Sequence, residues 1–293
     1  MHAAWDEGKQ NNYYTDNEST HIQLKDHQYS YVASNAEVKD HPVPFFWYGE
    51  SKNNAKDHPQ QLHSYPSSKN QIINDYPEAK LLFLEHNLHQ GEELKLHFTK
   101  DNQKTAFLPK EIGNSIPFSS KDLPEIYNKF SVKPHSVEAK ILKQTLHFCE
   151  LKPIHGEKIH CATSLESMVN FSTAKLGAKV KALSTEVKAK ESTLSQKYKV
   201  EWVKKFPPAN EAVVCHKQNY AYAVFYCHTD VGTRSYAVSL VGEDGTKVKS
   251  VAVCHTDTAN WADDHLSFQL LNVTPGVPVC HFLPEDLVLW VPY

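Results

Sequence analysis

Four Cys-His dipeptides fall in the last third of the chain: Cys215-His216, Cys227-His228, Cys254-His255 and Cys280-His281. Intervals of 10, 25 and 24 residues separate them. With 6 Cys and 18 His among 293 residues, random order would give less than one such dipeptide. A cysteine fixes its backbone through a disulfide, and the adjacent imidazole then has a defined position from which to bind metal. The pattern points to a metalloprotein.

Other histidines are weaker ligand candidates: His86, His89, His147, His155, His160 and His265. His86 and His89 lead this group, because a three-residue spacing places both on one helical face. Hydrolase and nucleotide signatures are absent. The chain has no G-x-S-x-G elbow, no H-E-x-x-H helix and no Gly-rich phosphate loop, and only 10 Gly in all.

Six cysteines, an even number, favour three disulfides and an oxidising compartment. Zinc thiolates are the alternative, but the C-x2-C spacing typical of them does not occur. Sequence alone selects no pairing among Cys149, Cys161, Cys215, Cys227, Cys254 and Cys280. Cys149 and Cys161 flank the connection between two expected helices, which suits a local bridge.

The elements that must position these residues change type along the chain. Residues 137–149 suit a helix with Val137, Ile141, Leu142 and Leu146 near one face. A second helix follows Cys161, where Thr163 and Glu166 form a capping box and Leu165, Met168 and Val169 share a face. Leu81 to Leu84 suits a short strand or buried turn. Strand patterns dominate from about residue 198. Ala221–His228 is rich in Tyr, Val and Phe. Ser235–Val241 and Val248–Val253 flank the turn Gly242-Glu243-Asp244-Gly245, a hairpin signature. Leu266–Val273 and Val277–Leu283 suggest two more strands, separated by Pro275-Gly276. The fold class is α+β: N-terminal helices, then a mostly antiparallel sheet stapled by disulfides. The Cys-His pairs fall at strand ends or centres of one sheet-rich unit.

Residues 1–75 read as a flexible arm, and the folded domain as 76–293. The arm is rich in Asn, Lys, Asp, His, Ser, Tyr and Pro and lacks periodicity. A faint repeat runs through it. Lys25-Asp26-His27 leads to Tyr31, Lys39-Asp40-His41 to Tyr48, and Lys56-Asp57-His58 to Tyr65. The middle segment ends in four consecutive aromatics, Phe45, Phe46, Trp47 and Tyr48, which suit either a docking anchor or a substrate.

A net charge of −3 argues against a nucleic-acid or anionic-membrane surface. No apolar run approaches the ~20 residues that span a bilayer. Met1-His2-Ala3-Ala4 opens no apolar run of the kind an export signal needs, and the expectation is a secreted chain whose signal has been removed from this sequence. Sequons at Asn17, Asn170 and Asn272 agree with secretion.

The four Cys-His pairs at these intervals, with their surrounding blocks, resemble the plant BURP domain. Those blocks include Phe107-Leu108-Pro109, Ser115-Ile116-Pro117-Phe118-Ser119 and Cys161-Ala162-Thr163-Ser164-Leu165-Glu166. They continue with Ala223-Val224-Phe225-Tyr226-Cys227-His228, Val251-Ala252-Val253-Cys254-His255, Val279-Cys280-His281-Phe282-Leu283-Pro284 and Trp290-Val291-Pro292. The similarity covers about residues 81–293 and is closest to the unknown-seed-protein type with its short arm.

The resemblance implies one of two functions. Some family members are copper-dependent, autocatalytic peptide cyclases, which cross-link a core peptide in their own chain into a side-chain macrocycle. Others are seed, stress or cell-wall proteins with no demonstrated activity. A third role, accessory subunit to a pectin-degrading enzyme, belongs to a branch with longer repeats. The expected cyclase would hold Cu(II) on His216, His228, His255 and His281, with the paired cysteines oxidised and unavailable as thiolates.

Joining a phenol to an unactivated carbon removes two hydrogens, which calls for a redox metal and an oxidant such as dioxygen. Tyr48 is the expected cross-linking phenol and Phe45 or Phe46 the partner carbon. Trp47 competes as a nucleophile, and Tyr31 and Tyr65 are lesser core ends. Tyr48 precedes the domain by about 30 residues, a linker with an end-to-end distance of roughly 30 Å. Tethering of this kind gives effective concentrations near the millimolar range. The expected partners are therefore the chain's own arm, dioxygen and the proteases that release a product. The expected location is the secretory pathway, vacuole or cell wall.

Overall fold

A computed structural model describes residues 77–292, apart from 101–104, 152, 154–157, 190–193, 207–210 and 262. Two antiparallel sheets carry the fold. Strand β1 (Leu82–Leu84) and β2 (Glu93–Leu96) come first. Short helices α1 (Lys110–Ser115) and α2 (Leu123–Lys129) and the longer α3 (Val137–Cys149) follow. After β3 (Ile159–Ala162) comes α4 (Leu165–Leu176). The remaining strands are β4 (Val180–Leu183), β5 (Glu186–Lys188), β6 (Gln196–Lys205), β7 (Glu211–Gln218), β8 (Val224–Val231), β9 (Thr233–Gly242) and β10 (Lys247–His255). Helix α5 (Leu266–Leu271), β11 (Val279–Phe282) and β12 (Leu287–Pro292) close the order.

The seven-stranded sheet runs β1-β11-β10-β9-β6-β2, with β5 pairing β10 off this path. It curls: Phe282 on β11 touches both Phe83 on β1 (4.5 Å between ring centroids) and Phe98 just beyond β2 (5.8 Å), and Phe98 meets Tyr198 on β6 (5.3 Å). Residues from both edges and the centre thus share one core inside the curl. The five-stranded sheet runs β3-β8-β7-β12-β4. Its one face carries α4, whose Met168 packs over Val213, Phe225 and Trp290. Its other face meets β10: Ala212, Val214, Leu287 and Leu289 pack with Val251 and Val253. Alternation along each strand decides which residues enter each layer.

Several local expectations hold, and several are corrected. Helix α3 spans Val137–Cys149, but Val137 is half-exposed, and the buried face is Ala139, Leu142, Thr145, Leu146 and Phe148. The cap of α4 is Ser164 rather than Thr163. The Ser164 hydroxyl accepts from the Ser167 N–H and is itself fully buried. The β9–β10 hairpin turns where expected, with Gly245 at φ 82° and the Asp244 carboxylate accepting from the Thr246 N–H. Leu266–Leu271 is a helix, not a strand. Leu266, Phe268 and Leu270 alternate in sequence, yet His265 caps the segment's start and Asn272, in the left-handed region, ends it. The Cys-His dipeptides divide between two sheets instead of sharing one. Among the described residues, no helix is long and apolar enough to cross a membrane.

Candidate metal centre

All six cysteines are paired: Cys149–Cys161, Cys215–Cys227 and Cys254–Cys280. The last two are alike. Cys215 lies directly opposite Cys227 on β7 and β8, and Cys254 directly opposite Cys280 on β10 and β11. Both pairs have Cα atoms 4.0 Å apart, as in the close, non-hydrogen-bonded positions of an antiparallel ladder. Each histidine follows its cysteine by one residue. It therefore points to the other face of the sheet. Because the strands are antiparallel, the two histidines step away from the disulfide in opposite directions and become diagonal neighbours.

The structure realises this twice. The His216 and His228 rings lie 5.3 Å apart and 20° from parallel, with their Nε2 atoms at 3.2 Å. The His255 and His281 rings lie 5.5 Å apart at 15°, with Nε2 atoms at 3.3 Å. The disulfides point away from the sheet–sheet interface, into the curl and toward α4. The imidazoles point into the interface, in line with Val214 and Val253. All four are buried.

Burial disfavours a charged imidazole here. It pushes His216 down to about 4. His281 lies well below its ordinary value, chiefly through burial and further through His255 and His216. His216 sits on the facing sheet, so both pairs face the same sheet–sheet interface. Neutral imidazole is the form that binds metal. The His228 Nδ1 lies 3.3 Å from the Thr229 carbonyl and the His281 Nδ1 3.4 Å from the Phe282 carbonyl. A carbonyl only accepts, so each Nδ1 donates and each Nε2 keeps its lone pair toward its partner ring. Two nitrogens about 2.0 Å from one tetrahedral ion stand about 3.3 Å apart, which the observed separations match. The donor set therefore fits a nitrogen-preferring ion at each pair. Among the described residues, no three His, Cys, Asp or Glu side chains form a metal-holding cluster. The imidazoles come together two by two.

The weaker histidine candidates do not join them. His86 and His89 are exposed, and His89 faces Glu92 at 3.5 Å. His147 lies exposed on α3. His160 meets the Ser167 hydroxyl at 2.6 Å and stacks on Phe171. Among the described candidates, His265 alone shares a ring neighbour with a pair: Trp261 packs against it and against His255. Residues 1–76, including Phe45, Phe46, Trp47, Tyr48, Tyr31 and Tyr65, lie outside the described residues, as does His155.

Sequence reasoning missed the aromatic neighbours of the pairs. Trp261 packs against His255 (5.3 Å) and His265 (4.5 Å), and Tyr226 against His228 (6.1 Å). A Trp four residues before a His, just after a Cys-His pair, was the available signal.

Comparison with known proteins identifies the family. Residues 81–292 match the BURP domain family model. The chain is 51% identical over 223 residues to BURP domain-containing protein 3 of Oryza sativa subsp. japonica, covering 74% of this chain and 52% of that protein. It is 48% identical over 228 residues to BURP domain protein RD22 of Arabidopsis thaliana, covering 75% of this chain and 58% of that protein. The chain thus spans little more than half the length of these two relatives. The matched region holds both disulfide-backed histidine pairs, and the chain belongs to the BURP-domain family.

Proposed function

We propose that each histidine pair holds a copper ion, and that the loaded domain oxidatively closes a ring within the chain's own N-terminal arm. The supporting observation is the repeated geometry: two buried imidazole pairs, Nε2 to Nε2, each braced from behind by a cross-strand disulfide. Imidazole donors suit Cu(II), and oxidised cysteines leave no thiolate to make a blue-copper site. Two protein nitrogens per ion leave coordination positions open, as catalytic sites do and closed structural sites do not.

The reaction joins the Tyr48 oxygen to an upstream carbon, Phe45 or Phe46. The phenol loses its O–H hydrogen and the carbon one C–H hydrogen. One C–O bond forms, and dioxygen takes up the two electrons and two protons as hydrogen peroxide. Copper supplies the one-electron redox chemistry for that transfer. The protein holds four buried imidazoles in fixed positions, excludes bulk water from them and keeps the sulfur atoms out of reach. Three disulfides suit an oxidising route of secretion. Vacuole or cell wall is the destination, and separate proteases release the cyclic product.

The test is an intact-mass measurement of copper-loaded protein held with and without dioxygen. Loss of two hydrogens with dioxygen, matched by one peroxide per chain, supports the reading. An unchanged mass in both favours a non-catalytic seed or cell-wall protein, with the cysteines as staples.

A further inference from the structure

His265 is built differently from the four paired histidines. Its Nδ1 lies 3.3 Å from the Ser267 N–H and 2.6 Å from the Ser267 hydroxyl. A backbone N–H only donates, so this Nδ1 must accept. A neutral imidazole carries one N–H, so in His265 it sits on Nε2. His228 and His281 show the reverse, with Nδ1 donating to a carbonyl and an unprotonated Nε2 facing the Nε2 of the partner ring.

The placement of His265 is also specific. It caps α5, and Trp261 packs against both its ring and that of His255, at 4.5 Å and 5.3 Å between centroids. Phe268 packs against both His265 (5.6 Å) and Trp261 (5.9 Å). His255 acts on His265 electrostatically, and burial holds the ring neutral. The other pair has Tyr226 as its ring neighbour.

We infer that His265 is a positioning residue, a fixed Nε2–H donor beside the His255–His281 pair. It holds the phenolic oxygen of the incoming tyrosine there, and it is not a third metal ligand. The two pairs are then unequal, and the His255–His281 pair is the one at which substrate is oriented. This inference rests on the cyclase reading for its substrate, but not for its tautomer.

Two measurements test it. The first is nitrogen-15 NMR of the histidine rings in the full chain, metal-free and loaded with Zn(II) as a diamagnetic probe. The expected result is a protonated Nε2 on His265 in both states, with an unprotonated Nε2 on His228 and His281 before loading. A metal-shifted Nε2 on His265, or a proton on its Nδ1, overturns the inference whether or not the chain cyclises anything. The second compares His265→Gln and His265→Leu with wild type in the copper and dioxygen assay. Gln keeps an N–H donor at the side-chain end. The expected result is unchanged copper content in both, cross-linking down at least tenfold in Leu and clearly less in Gln. Loss of copper from either variant, or a wild-type rate in Leu, contradicts it. If wild type itself forms no cross-link, the cyclase reading fails, and the NMR result still decides the tautomer.

Discussion

The Nε2 atoms of His216 and His228 face each other at 3.2 Å, although neither residue is the other's cross-strand partner. His216 is registered against Tyr226, and His228 against Val214. The residues directly between them are the bonded cysteines, on the opposite face. A dipeptide repeated on two antiparallel strands thus becomes a metal-sized gap without any loop. His255 and His281 repeat the relation on the other sheet, registered against Val279 and Val253.

This relation makes the disulfide a positioning device as well as a staple. The double variant Cys215→Ala/Cys227→Ala should lose roughly 3 kcal/mol of stability, the usual cost of removing a bridge that closes a short loop. Metal affinity at the His216–His228 pair should fall with it. Urea unfolding and metal titration check the two effects separately. Unchanged affinity alongside lost stability would reduce this disulfide to a staple.

Removing one imidazole should affect one pair only. His228→Ala should lower bound copper from two equivalents to one, with the His255–His281 pair still loaded. Elemental analysis after gel filtration, with circular dichroism to confirm folding, gives the count. Loss of both equivalents would mean that the four histidines act as one site.

The buried histidines set a pH dependence whose sign follows from their direction of shift. His216 and His265 fall from an ordinary 6.5 to about 4 in the folded chain, chiefly through burial. Between those values the unfolded chain binds more protons than the folded one. Metal-free protein should therefore be stable above about pH 6.5, lose stability as pH falls toward 4, and lose no more from these groups below that. Each shift corresponds to about 3 kcal/mol when fully expressed. Thermal melts from pH 7.5 to 4 check this. Bound metal should hold the imidazoles neutral and move the loss to lower pH. Stability that is flat across the window would contradict the burial of these rings.

Much of the site was legible in the sequence, because its logic is local. A histidine one step after a cysteine takes the opposite face of any strand, so Cys215-His216 and its three counterparts announced the arrangement. The helices at 137–149 and after Cys161 were legible from apolar spacing. What was not legible depends on distant partners. Nothing near Cys215 says that Cys227, and not Cys254, lies across from it, and the division between two sheets is set by pairings such as β12 with β7. The 266–271 segment alternated like a strand, and side-chain capping by His265 overrode that pattern. The tautomer of His265 likewise rests on one backbone N–H.

Tandem mass spectrometry of the protease-released arm, before and after aerobic incubation with Cu(II), tests the central claim most directly. The account predicts a loss of two hydrogens, with fragmentation suppressed between Phe45 and Tyr48 and abolished as an effect in Tyr48→Phe. A fully fragmenting, unchanged arm on protein that has bound copper at both pairs would contradict it.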